Sequence, residues 1–148
     1  GLYNRRAWDK FLRAEEERCK QYGHPAAVLF IDLNDLKKVN DSLGHEEGDR
    51  LIQNAAQVLR DNVRINDIVA RLGGDEFVML SVENDKTGAE TLLDRLIAAF
   101  AEANIGAAIG LAMRHPSQGL FAALAQADQN MFEYKRWKKA SETVAYLK

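Results

Sequence analysis

Asp32, Asp75 and Glu76 are the residues of this sequence best placed to do chemistry. Asp32 is the one charged residue in an otherwise apolar run, residues 26–33 (Ala-Ala-Val-Leu-Phe-Ile-Asp-Leu). Asp75 and Glu76 follow Gly73-Gly74, between two β-like runs. A Gly-Gly pair there reads as a tight hairpin, a turn that calls for positive φ. Carboxylates gathered at strand ends without a basic neighbour repel one another unless something cationic lies between them. Hard oxygen ligands suit magnesium, which keeps waters and shares its shell with substrate phosphates. Two such ions can polarise an attacking oxygen and stabilise the leaving one in an in-line displacement. Backbone N–H groups over residues 34–36 and in the glycine turn would cradle phosphates. Taken singly, these residues also read as a plain turn, a solvated hairpin tip and a helix N-cap. Their convergence at one sheet edge is what favours a metal and nucleoside-triphosphate site.

The elements must bring them together. Residues 4–22 carry Trp8, Phe11, Leu12 and Cys19 at helical spacing, with Asn4 as a cap and Gly23-His24-Pro25 as a stop. Residues 26–33 read as a buried strand. A polar stretch, residues 34–48, precedes an amphipathic helix that runs to about residue 62. Residues 67–72 and 76–82 read as strands, residues 92–100 as part of a helix, residues 105–113 as a fourth strand. Leu120, Leu124, Ala127, Met131 and Tyr134 line one face of a last helix, and residues 143–147 read as an edge strand. The class is α/β (α+β): a ferredoxin-like, palm-type β-α-β-β-α-β antiparallel sheet, with an extra N-terminal helix and a C-terminal helix and edge strand. In that order the third strand lies between the first and second, so Asp32 and Asp75-Glu76 share one end of the sheet.

The composition bounds the partners. The 148 residues hold 20 Lys+Arg against 22 Asp+Glu, a formal charge of −2. That is one ordinary domain spanning residues 1–148, without the broadly basic surface of a duplex-binding module. No nucleic acid is expected as a partner. A single cysteine, Cys19, excludes a disulfide framework and fits a reducing compartment. No apolar run approaches the roughly 20 residues needed to span a bilayer, so no membrane contact is expected. The start at Gly1 reads as a segment cut from a longer protein. Cys19 has no partner at a metal-ligand spacing, and its place on an apolar helix face reads as core, not as a nucleophile. His24 and His115 flank prolines and read as structural, and Trp8 and Trp137 as packing residues.

Several ordered motifs carry a resemblance. Residues 71–77, Arg-Leu-Gly-Gly-Asp-Glu-Phe, are similar to the signature of the GGDEF family, the diguanylate cyclases. Residues 31–41, Ile-Asp-Leu-Asn-Asp-Leu-Lys-Lys-Val-Asn-Asp, resemble the family's other long motif, which residues 44–49 continue. Asn4-Arg5-Arg6 resembles its helix start, and residues 108–112 its fourth-strand motif. The resemblance covers nearly the whole chain.

It implies condensation of two GTP into cyclic di-GMP with release of pyrophosphate, in a cytoplasmic domain using two Mg2+ (or Mn2+) per site. Asp32 and Asp75 would ligate metal through carboxylates and Leu33 through its backbone carbonyl. Asp75 or Glu76 would assist deprotonation of the ribose 3′-hydroxyl. Asn40 and Asp49 match guanine-recognising positions, and an Asp accepts from the guanine N1–H and 2-amino group. His45 would line that pocket or face solvent. Backbone groups of Asp35 and Leu36, with Lys37, Lys135 and Lys139, would bind phosphate. Gly73 and Gly74 would turn over the substrate. Arg64 and Asp67 match an Arg-x-x-Asp product-inhibition site, where a plain surface ion pair is the alternative. Departures are Asn34, Leu36, Ala108 and Lys139, in place of the family's usual Asp, Phe, Ser and Arg. Because one domain supplies one GTP site, catalysis would need a two-fold, antiparallel homodimer, governed by an upstream sensory or receiver domain. The rival expectations are an inactive module that senses GTP or cyclic di-GMP, and a regulatory dimerisation domain.

Overall fold

The computed structural model describes residues 2–147, with side chains through residue 141. Its elements are α1 (Arg5–Tyr22), β1 (Ala26–Leu33), α2 (Leu36–Leu43), α3 (His45–Asp61), β2 (Ile68–Arg71), β3 (Glu76–Val82), α4 (Lys86–Glu102), β4 (Ala107–Met113) and α5 (Gly119–Leu147). The sheet order is β2-β3-β1-β4, and each neighbouring pair is antiparallel. β3 therefore separates β2 from β1, as the split β-α-β reading requires.

Both faces of the sheet are covered, which is why β1 is apolar and buried throughout its length. Trp8, Leu12, Leu120, Ala127 and Met131 pack α1 and α5 on one face, against Val28, Phe30, Val78 and Leu80. Ala55, Leu59, Leu92, Leu96 and Phe100 pack α3 and α4 on the other, against Leu29, Ile31, Phe77 and Met79. The alternation of β1 side chains between these two clusters fixes its register, because a one-residue slip would exchange the faces. Asn4 caps α1 by accepting from the Ala7 N–H at 2.9 Å. Gly110 lies where α5 crosses β4, and a Cβ there would overlap the α5 backbone at Ala127 and Met131.

Four expectations are corrected. The polar stretch over residues 34–48 is largely helical, forming α2 and the start of α3 with a break at Gly44 (φ 91°). α2 is only eight residues long and buries only Leu36, so the helical spacing of Leu36, Val39 and Leu43 spans too short a window to stand out from its polar surroundings. Neither Gly73 nor Gly74 takes a positive φ. Their turn is a wider loop closed by the Leu72 N–H donating to the Glu76 carbonyl at 2.9 Å. Residues 143–147 continue α5 and form no edge strand. Trp137 is 65% exposed and is no packing residue, whereas Trp8 and Cys19 are core. Among the described residues no helix is long and apolar enough to cross a membrane.

Candidate active site

The β1–β3 ladder sets Asp32 opposite Glu76, and the next Leu33 N–H donates to the Asp75 carbonyl at 2.9 Å. The strand ends thus bring Asp32 beside Asp75 and Glu76, from which the sequence separates it. Asp32 Oδ2 accepts from Lys135 Nζ at 2.9 Å, so the expectation of carboxylates without a basic neighbour is corrected. Asp32 Oδ1 is buried with no hydrogen-bond partner. Burial pushes the Asp32 carboxyl up, the Lys135 hydrogen bond opposes this, and the nearby Asp75 charge adds to the rise. An orphaned carboxylate oxygen facing a second carboxylate is the environment a divalent cation relieves, so Asp32 and Asp75 fit such an ion. Asp32, Asp75 and Glu76 do not close into a three-ligand cluster among the described residues. A hard ion there would complete its shell with backbone carbonyl, water and phosphate oxygens.

Beside this edge a cleft of about 840 Å3 runs between the start of α2 and the middle of α5. Asp35, Lys37, Lys135 and Lys139 line it, as do Lys38 and Lys138, which the sequence reading passed over. The signal for Lys138 was present: Lys135, Lys138 and Lys139 are spaced to share a helix face. Asp35 makes no side-chain cap, so the first-turn N–H groups of α2 remain open to an anion. The Asn34 N–H is not among them, because it donates to the Gly106 carbonyl at 2.9 Å. Of the backbone groups expected over residues 34–36 to meet a phosphate, that of Asn34 is therefore already paired.

Asn40, His45 and Asp49 lie outside this cleft, at the α2–α3 corner. Asn40 is half-buried against Gly48, where a Cβ would overlap its amide. The sequence reading gave Gly48 no role, and the structure shows it making room for the Asn40 amide. Asp49 is exposed, and His45 is exposed as the first residue of α3. Gly73 and Gly74 are exposed, and their carbonyls accept from the Arg71 guanidinium at 3.0–3.3 Å. Gly74 approaches the Leu36 side chain, so the loop overhangs the start of α2.

Arg64 and Asp67 lie apart, near the other end of β3. The Asp67 side chain is buried and accepts from the Arg64 and Val82 backbone N–H groups at 3.2 and 3.1 Å. The Arg64 guanidinium is half-exposed and donates to Asp67, Ser81 Oγ and the Val82 carbonyl. Asp67 thus anchors Arg64 and presents no free edge of its own.

The chain resembles proteins with this same fold. It is 28% identical over 146 residues to a probable diguanylate cyclase, DgcC, of Escherichia coli, covering 99% of this chain and 38% of that one. A sensory box/GGDEF family protein of Caulobacter crescentus superposes with a TM-score of 0.82 at 32% identity, over 92% of this chain and 94% of that one. The active GGEEF domain of a diguanylate cyclase from Vibrio cholerae superposes at 0.85 with 26% identity, over 92% of each. The chain spans well under half the length of the full-length relative. The family described as "Diguanylate cyclase, GGDEF domain" matches residues 1–141, and this chain belongs to it.

Proposed function

We propose that this domain condenses two GTP molecules into cyclic di-GMP and releases two pyrophosphates. The observation that carries the reading is the meeting of Asp32 with Asp75 and Glu76 beside a lysine-lined cleft. Its relatives' names support the same activity. Two bound Mg2+ or Mn2+ ions would supply Lewis-acid polarisation of the α-phosphate and lower the pKa of the ribose 3′-hydroxyl.

Asp32, Asp75 and the Leu33 carbonyl hold the ions. Asp75 is the neighbour whose charge Asp32 feels, so it is committed to that pair. Glu76 is then the carboxylate left to take the 3′ proton. The α2 N-terminus and Lys37, Lys135 and Lys139 bind the triphosphate. Asn40 and Asp49 read the guanine edge, with His45 at the pocket rim. Asp49 lacks a donor pair to accept from on adenine, which selects GTP over ATP. Gly73 and Gly74, held by Arg71, pass over the nucleotide. Two copies in two-fold, antiparallel apposition bring each 3′-hydroxyl to the other's α-phosphate. Product binds at Arg64, whose exposed guanidinium face offers a fork to phosphate or guanine while Asp67 fixes it. An adjoining sensory or receiver segment would govern pairing of the copies.

The test is incubation of an enforced dimer with GTP and Mg2+, followed by assay of cyclic di-GMP and pyrophosphate. Turnover is expected, falling at least a thousandfold in Asp75→Asn. A folded dimer that binds GTP yet releases no pyrophosphate overturns the reading.

A further inference from the structure

We infer that Glu15, Cys19 and His24 form a second metal site, suited to zinc or a similar borderline-soft divalent ion, at the end of the sheet opposite the carboxylate edge. Cys19 Sγ lies 3.9 Å from Glu15 Oε1 and 3.9 Å from His24 Nδ1, and those two atoms are 4.0 Å apart. The three donors make a nearly equilateral triangle. An ion at its centre would sit about 2.3 Å from each corner, within a few tenths of an ångström of zinc's bonds to sulfur, nitrogen and oxygen. One thiolate, one imidazole and one carboxylate are a donor set that magnesium does not select and zinc does.

Local sequence builds the triangle. Glu15 and Cys19 are one turn apart on the inner face of α1. The helix ends at Gly23, and His24 folds back before Pro25 leads into β1. Glu15 and Cys19 are 4% and 1% exposed. The thiol is the only hydrogen-bond donor to the Glu15 carboxylate among the described residues. Arg18 Nη1 stands 3.5 Å from Oε2, the oxygen turned away from the thiol. A carboxylate that deep needs more, and burial pushes both Glu15 and Cys19 toward their neutral forms. A divalent ion with one thiolate and one carboxylate is charge-neutral, and its binding releases the Cys19 proton to solvent.

An independent observation lies behind the histidine. His24 Nε2 is buried and has no hydrogen-bond partner. Glu83 Oε1 stands 3.7 Å from it. Glu83 is held at φ 48°, left-handed backbone that a non-glycine residue rarely adopts. A carboxylate behind the far nitrogen of an imidazole fixes the tautomer and orientation of a metal-ligating histidine. The nearer nitrogen, Nδ1, then faces the thiol and carboxylate as a neutral ligand. His24 is the partly open wall of the site, through which a water can take the fourth position. An ion there would tie the end of α1 to the strand ends at Ala26 and Val82, paired across β1 and β3.

The experiment titrates the chain with Co2+ in excess Mg2+, which occupies the carboxylate edge, and then displaces Co2+ with Zn2+. One equivalent is expected to bind and to show thiolate-to-cobalt charge transfer in the near ultraviolet. The band should vanish in Cys19→Ser and His24→Ala. Affinity should fall about 10- to 100-fold in Glu83→Gln. Folded wild-type chain with no charge-transfer band at stoichiometric Co2+ overturns the inference, whether or not the variants fold. A band that persists in His24→Ala overturns it as well.

Discussion

Lys135 and Asp32 hold each other at 2.9 Å across 103 residues of sequence, and this pair decides how the carboxylate edge behaves before any ion arrives. The lysine compensates one oxygen of the Asp32 carboxylate and leaves the other, Oδ1, without a hydrogen-bond partner. Removing it leaves a buried charge beside Asp75 with no compensation, which destabilises the protein until a divalent ion binds. Lys135→Met should therefore melt several degrees lower than wild type in EDTA. Mg2+ should raise its melting temperature by more than it raises wild type's, because the competitor for Asp32 has gone. An equal Mg2+ shift in both proteins would show that the lysine does not compete. At the α2–α3 corner, Gly48 sets the Asn40 amide where a Cβ would stand. Gly48→Ala should displace that amide and weaken GTP binding about tenfold, the loss of one good hydrogen bond at about 1.4 kcal/mol. Titration calorimetry on the folded variant measures it, and unchanged affinity would remove Asn40 from guanine recognition.

Three lysines of the cleft, Lys135, Lys138 and Lys139, depend on α5, and α5 is fixed at its start and where it crosses β4. At its start, Glu16 of α1 accepts from Arg114 Nε and Nη2 at 2.7 and 3.0 Å and from the Leu120 N–H at 2.8 Å. It thereby joins α1, the end of β4 and the first turn of α5. The Arg114 hydrogen bonds, foremost among the causes, hold the Glu16 carboxyl below the usual glutamate range. A lowered folded pKa gives stability that is full above the unfolded value of about 4.3 and is lost as pH falls through the folded one. Glu16→Gln should cost about 1–3 kcal/mol at pH 7, and urea melts of the two proteins should converge only as pH drops below that of a free glutamate. A gap that persists undiminished at acid pH would mean that packing, not charge, joins these elements. Elements of this kind were unevenly legible. β1 and β3 are readable to the residue because apolar runs bounded by turn residues have few alternatives. α2 is not, since two turns holding Leu36, Val39 and Leu43 among polar residues are too short a window to tell a helix from a loop. Residues 143–147, Thr-Val-Ala-Tyr-Leu, have the composition of a strand. They are helical because extending an existing helix adds a hydrogen bond per residue without a new nucleus, and local β preference is too weak to oppose that.

For the whole molecule, the charge of −2 conceals a separation. Asp32, Asp75 and Glu76 occupy one sheet edge, while Lys37, Lys38, Lys135, Lys138 and Lys139 line the adjoining cleft. The carboxylates were legible because the strand order alone brings them together. The lysine cleft was half legible, because it forms where α5 residues lie beside α2 residues, and no spacing in the sequence reports that approach. On the proposed reading this edge offers one ion-binding carboxylate set and one phosphate cleft, a site for one nucleotide. A product with two phosphodiester links between two nucleotides needs two such sites facing one another, so the proposed reaction is bimolecular in protein. Cyclic di-GMP formed per chain should then rise with protein concentration and level off only above the dimer dissociation constant. Covalent linkage of two copies should flatten that dependence by raising their effective concentration. Product assays over a dilution series of linked and unlinked protein make the measurement. Activity per chain that stays constant on dilution, with the unlinked protein monomeric by sedimentation, would place both nucleotides on a single copy and remove the dimer from the mechanism.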